Sequence, residues 1–158
     1  MATAPAGVSI GAPSWSPAGS LIVVVVARLG RSSLWLIRPD GGGLRQIVEH
    51  GHAPVWAPDG ESLYYTRAAD QQKCIERIAI SGGPPALVRE DNAVAFAAGP
   101  STLFYAGRHD MRDVEIRRAS PEGGPPSTIV RLPGARMPLT PVMVSAAVSP
   151  DGRTIAIA

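Results

Sequence analysis

The chain has 158 residues, 45% hydrophobic and 18% charged, with a net charge of +2. That balance excludes a disordered chain and allows one domain with a real core. Its 14 arginines and one lysine are scattered rather than gathered into a basic stripe, which gives no nucleic-acid footprint, and the single cysteine, Cys74, excludes an internal disulfide framework.

In chain order, "MATAPAGVSIGAP" lacks a basic start and an apolar stretch, so no export signal is expected there. "SWSPAGSLIVVVVA" follows from Ser14. Its apolar run, Leu21 to Ala27, falls far short of the roughly 20 residues that cross a bilayer. Four consecutive valines make it a strand, and one without polar alternation is expected to be buried on both faces. "PDGGGLRQIV" closes this unit.

The second unit begins "VWAPDGESLYYTR" at Val55 and ends with "ISGGPPALV". Four strands are predicted in it, near 53–57, 62–67, 74–80 and 86–89, each short, rich in β-branched and aromatic residues, and bounded by turn signals. The third unit, "AFAAGPSTLFYAGR" from Ala95, closes with "PEGGPPSTIV". Residues 132–143 read as a long loop because Pro133, Pro138 and Pro141 interrupt them. "AVSPDGRTIAIA" from Ala147 starts a fourth unit and stops within a strand pair.

The anchors Trp15, Trp56, Phe96 and Val148 are spaced by 41, 40 and 52 residues. A second landmark keeps time with them: Asp40, Ser81 and Glu122, each beside a Gly-Gly pair, lie 25, 25 and 26 residues after their anchors. A period near 40 with four strands matches a propeller blade. The expected fold is all-β: a β-propeller fragment of about three four-stranded antiparallel blades plus the start of a fourth. Blade boundaries are expected near 12–49, 53–90, 93–131 and 144–158.

Pro17-Ala18-Gly19, Pro58-Asp59-Gly60 and Pro150-Asp151-Gly152 are expected to turn the chain between the first two strands of a blade. Pro presets φ, Asp can bond its own backbone, and Gly accepts a left-handed conformation. The third unit has Ala97-Ala98-Gly99-Pro100 instead, so its turn should differ. Trp15, Trp56 and Phe96 are expected to pack between blades.

At "WSPAG", "WAPDG" and "VSPDG", followed by "LWLIRPDGGGLRQIV" and "IERIAISGGPPALV", the chain resembles the TolB-like class of WD-like propeller repeats. The resemblance spans most of Pro13 to Val130, plus Ala147 to Ala158. No Trp-Asp pair occurs, and a Gly-His precedes a first strand only at Gly51-His52. The resemblance implies a non-catalytic scaffold for protein–protein interaction or ligand sensing, with a protein partner expected, and an extracytoplasmic or periplasmic setting. It also admits the propeller of a prolyl-oligopeptidase-like serine peptidase, or the sensor half of a bacterial kinase or transcription regulator. Fold does not choose among these.

No nucleophile elbow, zinc-protease helix, Walker loop or EF-hand loop occurs. The spacing of His50 and His52 lacks a second ligand cluster. His109 and Asp110 lack a third catalytic partner. The expectation is therefore a non-enzymatic protein with no metal and no cofactor, whose "ADQQK" (69–73) and "GRHDMRD" (107–113) hairpins project to one end of the arc and meet the partner. Self-association through open propeller edges is a further expectation.

Overall fold

A computed structural model describes residues 8–69, 72–108, 113–133, 146–149 and 154–157. No helix occurs among them. The first sheet runs in the order β1 (Val8–Trp15), β2 (Ile22–Arg28), β3 (Arg31–Ile37) and β4 (Arg45–Glu49). The second is β5 (Gly51–Trp56), β6 (Ser62–Ala69), β7 (Gln72–Ala79) and β8 (Ala86–Arg89). The third is β9 (Val94–Gly99), β10 (Thr102–Arg108), β11 (Val114–Ala119) and β12 (Ser127–Leu132). A pair, β13 (Ala146–Val148) and β14 (Ile155–Ile157), begins another sheet. Every pairing is antiparallel between sequence neighbours.

The sheets stack as sectors. Strand β5 lies against β1, β2 and β3, and β9 lies against β5, β6 and β7. Strand β13 in turn meets β9. First strands thus follow one another along the inside of the arc, and β4, β8 and β12 lie outside. This is an open, unclosed segment of a β-propeller.

Two apolar layers hold the sectors together. Val23, Leu34, Leu36 and Val48 of the first sheet meet Trp56, Leu63, Tyr65 and Ile78 of the second. On its other face, the second sheet sets Tyr64 and Ile75 against Ala95, Leu103, Tyr105 and Ala119 of the third. Period-2 alternation makes this possible: Leu63 and Tyr65 face one neighbour, Tyr64 the other. Burying each large side chain contributes about 1.5–3 kcal/mol.

Burial on both faces was expected of the valine run in β2, but it occurs in β6. Residues 62 to 66 of β6 are all buried, whereas in β2 only Val23 is. The reason is position in the stack: the first sheet has a neighbour on one face, the second on both.

The expected difference between turns is present. Trp15 pairs with Ile22, and Trp56 with Leu63, so six residues intervene in each case. In the third sheet Gly99 pairs with Thr102, leaving a two-residue turn at Pro100-Ser101.

Candidate functional site

Up-and-down pairing puts the β2–β3, β6–β7 and β10–β11 hairpins at one end of the arc. The crossings between sheets, at His50 and at Asn92, lie at that same end. Both crossing residues adopt left-handed conformations, with φ of 60° and 56°. At the second crossing, the Lys73 amide donates to Asn92 Oδ1 at 3.1 Å and the Ala93 amide to the Lys73 carbonyl at 3.0 Å. The hairpin of one sheet is thereby fastened to the start of the next.

Among the described residues, two carboxylates are buried in third strands, Glu76 midway along β7 and Glu115 near the hairpin end of β11. Glu76 is buried; the Tyr65 hydroxyl donates to its Oε2, and Arg67 Nε lies 2.8 Å from its Oε1. Burial and that bond to Glu76 push the Tyr65 phenol well up. In the third sheet, buried Glu115 accepts from Arg117 Nε at 2.9 Å and from Thr128 Oγ1 at 3.0 Å. Its other oxygen takes both Nε and Nη2 of Arg131, at 3.0 and 2.8 Å. The Arg117 bond leads the forces that hold its carboxyl down to about 2. Arg117 also reaches Asp91 at the crossing, at 2.7 Å, where the Tyr105 hydroxyl donates at 3.4 Å.

His52 and Thr66 are register partners between β5 and β6. His52 Nε2 and Thr66 Oγ1 are buried without a hydrogen-bond partner among the described residues, and Thr66 is fully buried. Burial, then the Lys73 ammonium, lowers the His52 pKa.

At the hairpin tips, Leu29 and Gly30 form a two-residue turn between the Arg28–Arg31 pair, with φ of 51° and 76°. Such a turn favours Asn at its first position. Here it carries a leucine that is 87% exposed.

The opposite end is structural in character. Gly19 and Gly60 take φ of 69° and donate to Ser16 and Ala57 carbonyls at 2.8 and 2.9 Å. Pro17 and Pro58 occupy the same two turns. Asp59 accepts the Glu61 amide at 2.8 Å and pairs with Arg77 at 3.1 Å. Arginines of fourth strands reach the residue just past the third strand of the next sheet: Arg45 donates to the Ile80 carbonyl, and Arg89 to the Ser120 carbonyl at 3.0 Å.

Trp56 sits in the layer between the first two sheets, and its Nε1 donates to the Ser14 carbonyl at 3.0 Å. Trp15 meets no second sheet among the described residues and is 58% exposed. The side chain of Phe96, the turn Pro150-Asp151-Gly152, the pair His109-Asp110 and the 134–145 stretch lie outside the described residues. Among the described residues, no group of three or more His, Cys, Asp or Glu is gathered as a metal site, and no helix is long and apolar enough to cross a membrane.

Sequence reasoning missed the Glu76 and Glu115 clusters and the His52–Thr66 pair. The sequence marks only the carboxylates, a glutamate within the third strand in both "CIERIA" and "VEIRRA" with a tyrosine in each preceding strand, and not the cations they meet.

No protein-family model matches the chain. Among solved structures it is similar to TolB from Acinetobacter baumannii, with 19% identity and a TM-score of 0.73 over 94% of this chain and 37% of that one. A putative TolB from Agrobacterium tumefaciens matches at 18% identity and a TM-score of 0.67, over 77% of this chain and 49% of that one. A prolyl endopeptidase structure matches at 16% identity and a TM-score of 0.65, over 85% of this chain and 24% of that one. The chain thus spans less than half the length of each. At these identities the likeness is one of fold, and the fold it defines is a β-propeller.

Proposed function

We propose that the chain is a non-catalytic propeller scaffold that binds a protein partner at its hairpin end. The observation that carries this reading is Leu29. A large apolar side chain stands at a hairpin tip, almost fully in water, on a backbone conformation that favours other residues. Left-handed conformation at a non-glycine residue costs about 1–3 kcal/mol. Strain and exposure together are unfavourable for folding alone, and a contact surface accounts for both. The ion pairs of Glu76 in the second sheet and Glu115 in the third support the same reading only in holding their own sheets rigid. The four expected blade boundaries are proposed as its division into repeats.

A photo-crosslinking residue at position 29 tests this in the source cell. A discrete adduct from position 29, absent from position 87 on the outer strand β8, is expected. No adduct at position 29 overturns it.

A second reading has its own support. Acylaminoacyl peptidase and oligopeptidase B structures also match, with TM-scores of 0.65 and 0.63. The propeller of a serine peptidase, with the catalytic domain in adjoining sequence, would be such a match. A G-x-S-x-G motif followed by a histidine in adjoining coding sequence would establish that alternative.

A further inference from the structure

We propose that the tip of the first hairpin, Arg28 to Arg31, recognises an acidic segment of a partner protein, with carboxylates on the two guanidiniums and an apolar residue on Leu29. This assignment rests on the reading of the hairpin end as a contact surface, and names the chemistry of what binds there.

The charge of the tip is unmatched. Arg28 and Arg31 are direct cross-strand partners on either side of Leu29-Gly30, and all four residues are exposed. Like charges set directly opposite each other destabilise a strand pair. Neither guanidinium meets a carboxylate or another acceptor among the described residues. Glu49, which stands opposite Ser33 on the next strand, forms no ion pair with either. Every other arginine whose side chain is described has an acceptor within the chain, from Asp40 for Arg38 to Glu115 for Arg131.

The repeat shows that the fold does not require such a tip. Ile22–Ile37 and Leu63–Ile78 are equivalent pairs, so Arg28 and Arg31 stand where the second sheet has the partners Ala69 and Gln72. Between them lie Leu29-Gly30 in the first hairpin and Asp70-Gln71 in the second. Nor would a further sheet cover the tip. The second sheet has a neighbour on each face, yet Arg67, Ala68 and Gln72 near its own hairpin tip are exposed. Exposure there follows from position at the end of the strands, not from the lack of a sheet before the first.

An acidic peptide satisfies both features of the tip. Arginine pairs with carboxylates through two parallel hydrogen bonds, and the leucine between the two cations needs an apolar seat. A nucleic acid asks for a basic stripe, but the other described arginines are committed to acceptors within the chain. An anionic membrane asks for more apolar area than one leucine, since even a single myristoyl chain binds only marginally.

The test is a photo-crosslinking residue at position 29 of the intact protein in its source cell, with the joined peptide sequenced by mass spectrometry. The peptide is expected to carry two or more Asp or Glu beside an apolar residue. Arg28→Glu combined with Arg31→Glu should cut the adduct roughly tenfold, the scale on which charge complementarity acts at an interface. Each single reversal places opposite charges face to face, so the hairpin stays folded and its melting temperature does not fall. Either one alone should lower the yield at least about threefold. A joined peptide without carboxylates, or a yield indifferent to all the reversals, overturns this assignment and leaves the protein contact at the hairpin end standing. No adduct at position 29, or an adduct to nucleic acid or lipid, overturns both.

Discussion

Trp56 Nε1 donates to the carbonyl of Ser14 at 3.0 Å, so the innermost strand of one sheet is fastened to the innermost strand of the sheet before it. The same ring is buried to 7% exposure among Val23, Leu34 and Leu36. Trp56→Ala should therefore cost about 3–5 kcal/mol, as large-to-small changes in cores do. Trp56→Phe keeps most of the apolar contact and loses the bond, for a smaller cost, including about 1 kcal/mol from the bond itself. Denaturant unfolding of the two variants checks the order.

Gly51 opens the second sheet at a point of close approach. A Cβ there would lie 2.8 Å from Val48 Cγ1, 3.1 Å from Tyr65 Cδ2 and 3.2 Å from Leu34 Cγ. All three belong to the layer between the sheets. Gly51→Ala should destabilise by about 1–3 kcal/mol, the usual cost of overpacking. Gly11→Ala, where a Cβ meets nothing within 4 Å, is the matched control. An equal effect at both sites would refute the close-approach account.

Leu29 separates stability from binding. Leu29→Asn places the residue favoured at the first position of this hairpin turn, and should raise stability by up to about 1 kcal/mol. The same change should weaken binding of the partner that is captured through position 29. A variant that is less stable than the parent would remove the argument from strain.

The fold was legible because its signals are local. Pro58-Asp59-Gly60 sets a turn, and Trp56 recurs 41 residues after Trp15. Period alone gave the sheets, but not the place of each sheet in the stack. That is why the burial on both faces expected of "LIVVVVA" is found in "SLYYT" instead. The carboxylate clusters were not legible for a related reason. Glu115 is met by Arg131, 16 residues away, and Arg117 by Asp91, 26 residues away. No local pattern announces which charge a strand will find on the next strand or at the next crossing.

Glu115 makes the third sheet sensitive to acid. Its folded carboxyl titrates at about 2, below the 4.5 of an ordinary glutamate. A depressed value means that the folded state favours the charged form. The associated stability is complete above about pH 4.5 and is lost as pH falls toward 2. Glu115→Gln removes that linkage, so its unfolding midpoint should fall less steeply over the same range. Parallel slopes for the two proteins would show that other carboxylates govern the acid limb.

His52 sets a separate limb nearer neutrality. Its imidazole is disfavoured as a cation by burial and by the Lys73 ammonium, so its folded pKa lies below the ordinary 6.5. Below pH 6.5 the unfolded chain takes up a proton that the folded one resists. Stability therefore decreases as pH falls from 6.5 toward the folded value, and is unaffected by this group above it. The strain falls where β5 faces Thr66 and where Lys73 clasps Asn92 and Ala93. The Ala93 amide should exchange with solvent faster at pH 5.5 than at pH 7.5, after correction for intrinsic rates. His52→Gln should abolish the difference. An imidazole that titrates at 6.5 or above by NMR would contradict the assigned burial and its consequence.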